Sequence, residues 1–233
     1  MDLILNALFP MPCAGCGARA LVLCDRCVAA APGPDPAPPP EGISSWVAPF
    51  AYEGAIRELV ARVKYRDERH AVRWLAARAA EHAAMLEPPD LVTWIPTSPA
   101  RLRERGFDHA KRLARIVATA NQCRYLAVFD RHDVEPQTQR HGAVRFAGPS
   151  LGLKPMRTRT VEGIRSLWLV DDVATTGASL RAAAAVVHSV MPLIRIDAIT
   201  VARTPAAGRS ERCDGSSALG RSPAIRSTLA RGS

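Results

Sequence analysis

Aromatic side chains are scarce in this chain, with four Trp, three Tyr and five Phe among 233 residues. Alanine, valine and leucine must therefore fill the interior, within an ordinary hydrophobic content of 48%. The same scarcity leaves no stacked-aromatic pattern of the kind that binds single-stranded bases. No run is long and apolar enough to span a bilayer. The opening MDLILNALFP lacks the basic n-region of a signal peptide and reads as a short amphipathic helix. A cytoplasmic protein is expected. The lysine-bearing phosphate loop G-x-x-x-x-G-K-[ST] and the glycine fingerprint of dinucleotide binders are both missing, and there is no internal repeat. Acids are outnumbered, 22 Asp+Glu against 31 Lys+Arg, a formal net charge of +9. That balance favours phosphates, pyrophosphate or nucleic acid as partners, without choosing among them.

The length allows one core with a small appendage. Residues 1–30 hold four of the six cysteines. Residues 31–42, APGPDPAPPPEG, form a proline-rich linker that cannot be helical and spans as a stiff spacer. From 43 to 202 the pattern is α/β. A short strand around 46–51 precedes a helix marked by Ile56, Leu59, Val60 and Val63, and an arginine- and alanine-rich helix follows over about 70–85. Strands are expected at 91–96, 125–129, 167–170 and 193–201, with helices at 108–121 and 177–189. Strands apolar throughout, alternating with amphipathic helices, predict a parallel sheet covered on both faces. Residues 203–233, rich in Ser, Gly, Arg and Pro, read as a disordered tail.

Cys13, Cys16, Cys24 and Cys27 are spaced C-x2-C-x7-C-x2-C. Each C-x2-C pair can turn two thiolates toward one ion, and two pairs complete a tetrahedral site. In a reducing compartment this favours structural zinc over redox chemistry or disulfides, in a segment too small to fold alone. Cys123 and Cys213 stand alone.

In LWLVDDVATTGASL (167–180) four apolar residues run into Asp171 and Asp172, ahead of a hydroxyl-rich turn and a helix. In open α/β sheets ligands bind beyond the carboxyl ends of the strands. Hydroxyls of Thr175, Thr176 and Ser179, with N–H groups at a helix start, can wrap an anion, and Gly177 permits the close turn. Carboxylates before such a turn suggest a phosphorylated sugar, its vicinal hydroxyls donating to the acids directly or beside a metal ion. The plain alternative is a helix cap with a solvent-facing acidic pair.

Between 101 and 115 six basic residues face two acids. A mobile loop bringing Arg103 or Arg105 over pyrophosphate would offset leaving-group charge. A solvated basic helix start is the alternative, with Asp108 as its cap. His109, expected to be exposed, is a weak acid–base candidate. Lys64, at the end of its helix, either reaches a diphosphate or offsets the helix dipole. Seven more basic residues lie between 131 and 165, where Gln137 and Arg140 are placed near an acceptor. The whole basic field can equally be read as a nucleic-acid track.

LVDDVATTGAS resembles the phosphoribosyl diphosphate (PRPP) motif of type I phosphoribosyltransferases. Together with the four cysteines, VKYRD (63–67), WIPTSPARLRERGFDHA (94–110) and EPQTQR (135–140), it resembles the ComF family along nearly the full length to about residue 202. That resemblance implies a type I phosphoribosyltransferase-like parallel sheet flanked by helices over 43–202, with a small N-terminal zinc-binding module. It implies transfer of phosphoribose from PRPP to an acceptor, with Mg2+ accompanying PRPP and Zn2+ structural. Asp171 and Asp172 would take the ribose. Val173, Ala174, Thr175, Thr176, Gly177, Ala178 and Ser179 would line the phosphate. Thr97, Arg101, Arg103 and Arg105 would meet pyrophosphate, and Asp171, Asp172, Arg105 and Lys64 would carry catalysis. The alternative is a non-catalytic nucleotide- or single-stranded-DNA-binding factor in competence, with a competence-machinery protein as partner. Members commonly carry Asn-Gln where this chain has Asp108-His109, a change expected to alter base selection or weaken catalysis. No N-terminal nucleophilic cysteine is present to supply ammonia.

Overall fold

The computed structural model describes residues 12–20, 22–66, 68–131, 150–155 and 163–204. The expected amphipathic start, Gln137, Arg140 and the tail beyond 204 lie outside the described residues. The elements in order are α1 (Asp25–Ala29), β1 (Ser45–Val47), β2 (Phe50–Ala51), α2 (Gly54–Arg66), α3 (Arg69–Ala83), β3 (Leu91–Trp94), α4 (Pro99–Arg105) and α5 (His109–Ala120). They continue with β4 (Phe129–Arg131), β5 (Leu151–Leu153), β6 (Ser166–Ala174), α6 (Ala178–His188) and β7 (Arg195–Arg203).

A five-stranded parallel sheet runs β1-β7-β6-β3, with β2 continuing the line of β1 along β7. The central strands β6 and β7 bury apolar side chains on both faces, as burial between two helical layers requires, with Asp197 and Thr200 of β7 the buried polar exceptions. Trp168 and Val170 point into one core with Ile56, Leu59, Leu75, Leu113 and Val117, so α2, α3 and α5 cover that face. Leu167 and Leu169 point the other way, onto Leu180, Ala183 and Val187 of α6. Alanine fills the interior, as expected where aromatics are few. Ala76, Ala79, Ala80 and Ala83 of α3 and Ala110, Ala114 and Ala118 of α5 are buried together, and such short side chains let two helices approach closely.

The strand expected at 125–129 is different. Tyr125 makes a single parallel bridge to Val92, and the Val128 N–H then donates to the Thr93 hydroxyl rather than to a strand carbonyl. Phe129–Arg131 pairs antiparallel with Leu151–Leu153 in a separate ribbon. The proline-rich segment contains no helix, as expected, and it is tied to the body. The Ala51 N–H donates to Pro32 O at 2.9 Å. The cysteine segment also packs inward, since Cys13, Ala14, Val22 and Leu23 share the core of α2. No helix among the described residues is long and apolar enough to cross a membrane.

Candidate functional site

Strand β6 does not stop before its acids. It continues to Ala174, with Asp171 opposite Thr200 and Val173 opposite Ala202 of β7. On its other side β3 ends at Trp94, opposite Val170, so β6 runs on with one edge open. The acids are tolerated inside a strand because that edge borders a crevice. Their oxygens supply the missing acceptors: Asp172 N–H donates to Asp171 Oδ1 at 2.8 Å, and Val173 N–H to Asp172 Oδ1 at 2.7 Å.

The crevice is a cleft of about 300 Å3. Asp171, Asp172 and Val173 line it from β6, and Thr175 and Ser179 from the turn into α6. Thr97 follows β3, Arg101 and Arg105 come from α4, and Lys64 from α2. Chain segments far apart in sequence thus meet at the carboxyl ends of parallel strands. Lys64 Nζ lies 3.0 Å from Asp172 Oδ2, so the lysine neither reaches into empty solvent nor merely offsets the dipole of its own helix. Burial first, and then the neighbouring Asp172 charge, pushes Asp171 up to about 8, against the opposing Asp172 N–H, Lys64 and Arg131.

A carboxyl held above its ordinary value near 3.9 binds its proton more tightly in the folded chain. Its contribution to stability is complete below pH 4 and is lost as pH rises through about 8. Asp171→Asn, neutral throughout, is therefore expected to be more stable than the wild type above pH 8. The gain is about 1–2 kcal/mol after allowance for partial solvent screening, and it fades toward pH 4. Denaturant titrations across that range check it, and a constant difference would remove the assignment.

The turn is built as its sequence predicts, with one added feature. Gly177 has φ 70°, the left-handed region that side-chain-bearing residues avoid, and it is buried beneath Pro40. A β-carbon there would stand 2.9 Å from Pro40 Cγ. Arg181 braces the turn from below, one guanidinium N–H donating to Thr176 O at 2.9 Å. Thr175 and Ser179 face the cleft, whereas Ala174, Thr176, Gly177 and Ala178 shape the corner without lining it.

The mobile arginine loop is corrected to a short helix, α4. Ser98 accepts the Arg101 N–H, Pro99 occupies the first turn, and Gly106 ends the helix at φ 78°. This fixed geometry separates the arginines. Arg101 and Arg105 line the cleft, while Arg103 is exposed outside its wall. Arg105 lies over the Tyr65 ring at 5.7 Å, and its Nε–H is buried without a partner among the described residues. His109 is corrected as well. It is 2% exposed, and its Nε2–H donates to Val63 O at 2.8 Å. Burial, chiefly, lowers its pKa and keeps the ring neutral. Tyr52 and Arg131 are cleft residues that sequence reasoning missed. Tyr52 directly follows the buried pair of β2, at a strand's carboxyl end, which is a usable signal. Arg131 belonged to a diffuse basic run with nothing to single it out.

A larger groove of about 890 Å3 adjoins the cleft and shares Pro96, Thr97 and Arg131 with it. It gathers rings that the sequence scatters, and several of their faces are already covered. Trp94 stacks on Tyr125 at 5.0 Å and lies under Lys111, and Phe107 lies under Arg112 at 4.0 Å.

The four cysteine Sγ atoms lie within 4.8 Å of one another and can hold a metal ion. Cys13 to Cys24 is 3.8 Å and Cys16 to Cys24 is 3.6 Å. Four thiolates about 2.3 Å from a tetrahedral zinc stand about 3.8 Å apart, so the donor set fits, and these sulfurs are too far apart for disulfides. Burial opposes ionisation of Cys13, but N–H groups of Cys24, Cys16 and Gly15 outweigh it and bring the thiol down to about 6. Without a cation the cost falls on Cys27. Its sulfur contacts with Cys24 first, then burial, push it up to about 12.

The sequence matches no family model and no curated protein. Among solved structures it is similar to the crystal structure of TT1426 from Thermus thermophilus. The identity is 17%, covering 58% of this chain and 86% of that chain, with a TM-score of 0.32.

Proposed function

We propose that the cleft binds PRPP and transfers its phosphoribosyl group to an acceptor, releasing pyrophosphate, as the resemblance to the ComF family implies. The observation that carries this reading is the meeting of three chemistries in one cleft: an acidic pair, a helix-start turn, and the cations Lys64, Arg101 and Arg105. The Asp172 carboxylate, and Asp171 beside it, would accept hydrogen bonds from the ribose hydroxyls. Thr175, Ser179 and the first N–H groups of α6 would hold the 5′-phosphate, with the positive end of the helix dipole behind them.

In the reaction the bond from ribose C1 to the diphosphate oxygen breaks and a bond from C1 to the acceptor nucleophile forms. The electron pair leaves with pyrophosphate, and the nucleophile gives its proton to solvent. Arg105, which lines the cleft, would offset the growing negative charge. Lys64 passes between partners, from Asp172 to the diphosphate. Mg2+ accompanying PRPP would supply charge neutralisation. With Lys64 drawn from Asp172 to the diphosphate, Asp172 would be free to hold the ion through its water. The four cysteines would hold zinc in a structural role, since four thiolates leave no open position.

The test is Mg2+-dependent consumption of PRPP, with pyrophosphate as product, across a panel of nucleobases, amines and ammonia. The Asp171→Ala variant is the control. Turnover with one acceptor class, lost in the variant, supports the reading. Absence of PRPP binding overturns it. Steeply salt-dependent binding of single-stranded DNA, undisturbed by loss of the acids, would replace it with the competence-linked alternative.

A further inference from the structure

Asp108 does far more than cap a helix. Its Oδ1 accepts the Lys111 N–H at 3.1 Å, which is the cap itself, and also the Thr97 hydroxyl at 3.3 Å. Its Oδ2 accepts Trp94 Nε1–H and Thr97 N–H, both at 3.2 Å. One carboxylate thus takes four donors, and three of them come from the end of β3 and the residues just after it. A capping residue needs only the first.

The next residue does the same on the opposite wall. Val63 O belongs to the last turn of α2, where carbonyls have no partner within the helix. His109 Nε2–H satisfies it at 2.8 Å from a fully buried ring. Val63 directly precedes Lys64, whose ammonium holds Asp172. Neither Asp108 nor His109 lines the 300 Å3 cleft, though Asp108 borders the adjoining groove, and each is bonded to a wall of the cleft.

We propose that Asp108 and His109 are positioning residues, which from one helix start hold Thr97 and Lys64 on the two walls of the cleft and so set its width for the ligand. The pair acts on the cleft through backbone, hydroxyl and indole groups, so an altered base selection or weakened catalysis would follow from the set of its walls. Its effect on ligand affinity rests on the phosphoribosyl reading, whereas the brace itself does not.

Three substitutions separate brace from cap and from packing. Asp108→Ser keeps a good N-cap but is too short to reach Trp94 and Thr97 together. His109→Leu keeps bulk and loses the donor. His109→Gln keeps an N–H for Val63 O. By hydrogen exchange without ligand, the Thr97 amide in Asp108→Ser should exchange about tenfold faster while the α5 amides are unchanged. The Lys64 ammonium, held by Asp172, should give a slowly exchanging signal in nitrogen NMR of the wild type, lost in His109→Leu and regained in His109→Gln. Ribose 5-phosphate, the probe for affinity, should bind about tenfold more weakly to Asp108→Ser and His109→Leu, with His109→Gln close to wild type. Unaltered Thr97 exchange in Asp108→Ser overturns the proposal, even if His109→Leu fails to fold. If the wild type does not bind ribose 5-phosphate, the phosphoribosyl reading falls, and the exchange results alone decide the brace.

Discussion

Asp171→Asn combined with Asp172→Asn is expected to weaken PRPP binding by at least about a hundredfold while leaving the fold intact. The loss follows from charge. Above pH 8, where Asp171 too is ionised, each carboxylate would accept hydrogen bonds from ribose hydroxyls, and a charge-assisted bond is worth about 1.5–3 kcal/mol, so two lost carboxylates remove about 3–6 kcal/mol. The fold survives because both residues sit where β6 has outrun β3, on an edge facing the cleft. An asparagine Oδ1 still accepts the following N–H that each aspartate accepts now. Removing the desolvated Asp171 carboxyl even relieves a burden. The cost lies with Lys64, which loses its partner, but it keeps some access to water at 20% exposure. Calorimetric titration with PRPP and Mg2+, beside a thermal melt, separates the two effects. Undiminished affinity would remove the ribose assignment, and a collapsed melt would show that the acids are structural.

What was legible in the sequence was local or periodic. The acid pair, turn and helix lie within one strand-to-helix corner, so adjacency alone reveals them. The parallel sheet follows from strands apolar on both faces. What escaped depends on contacts between distant segments. The Lys64–Asp172 pair joins α2 to β6, and no pattern around either residue announces it. The burial of His109 has no signature in a basic stretch, because it results from an orphan carbonyl on another helix. The helix α4 is a different kind of omission. Its punctuation was present, Ser98-Pro99 at the start and Gly106 at the stop, but seven residues are too few to display an apolar period. The extension of β6 through its acids was hidden for a physical reason: carboxylates disfavour a strand interior until a neighbouring strand ends early and opens an edge for them.

Removing the metal from the cysteine cluster is expected to lower the thermal midpoint by roughly 10–20 °C, more than any single cleft substitution. A metal bound by the four cysteines would tie down a short segment with little helix of its own, and without a cation four thiolates cannot all ionise side by side. Release of the segment would withdraw Val22 and Leu23 from the core they share with Ile56 and Leu59 of α2. Each such side chain stabilises by about 1.5–3 kcal/mol on burial, a large part of the roughly 5–15 kcal/mol that keeps a domain folded. Cys13 and Cys16 should then behave differently as serines. Both would lose metal, but Cys13 is 1% exposed and accepts two backbone N–H groups, from Gly15 and Cys24, whereas Cys16 faces solvent. Cys13→Ser should therefore fall below the metal-free wild type, and Cys16→Ser should match it. Metal content by elemental analysis, read beside melts of all three proteins, checks the order. A midpoint unmoved by complete metal removal would mean that packing alone holds the segment, leaving its cysteines free to serve as a docking surface for a partner. The same experiment tests whether the effect reaches the cleft. Lys64 is carried on α2, the helix that the cysteine segment covers, so metal loss should also loosen the Lys64–Asp172 pair and reduce PRPP affinity together with stability.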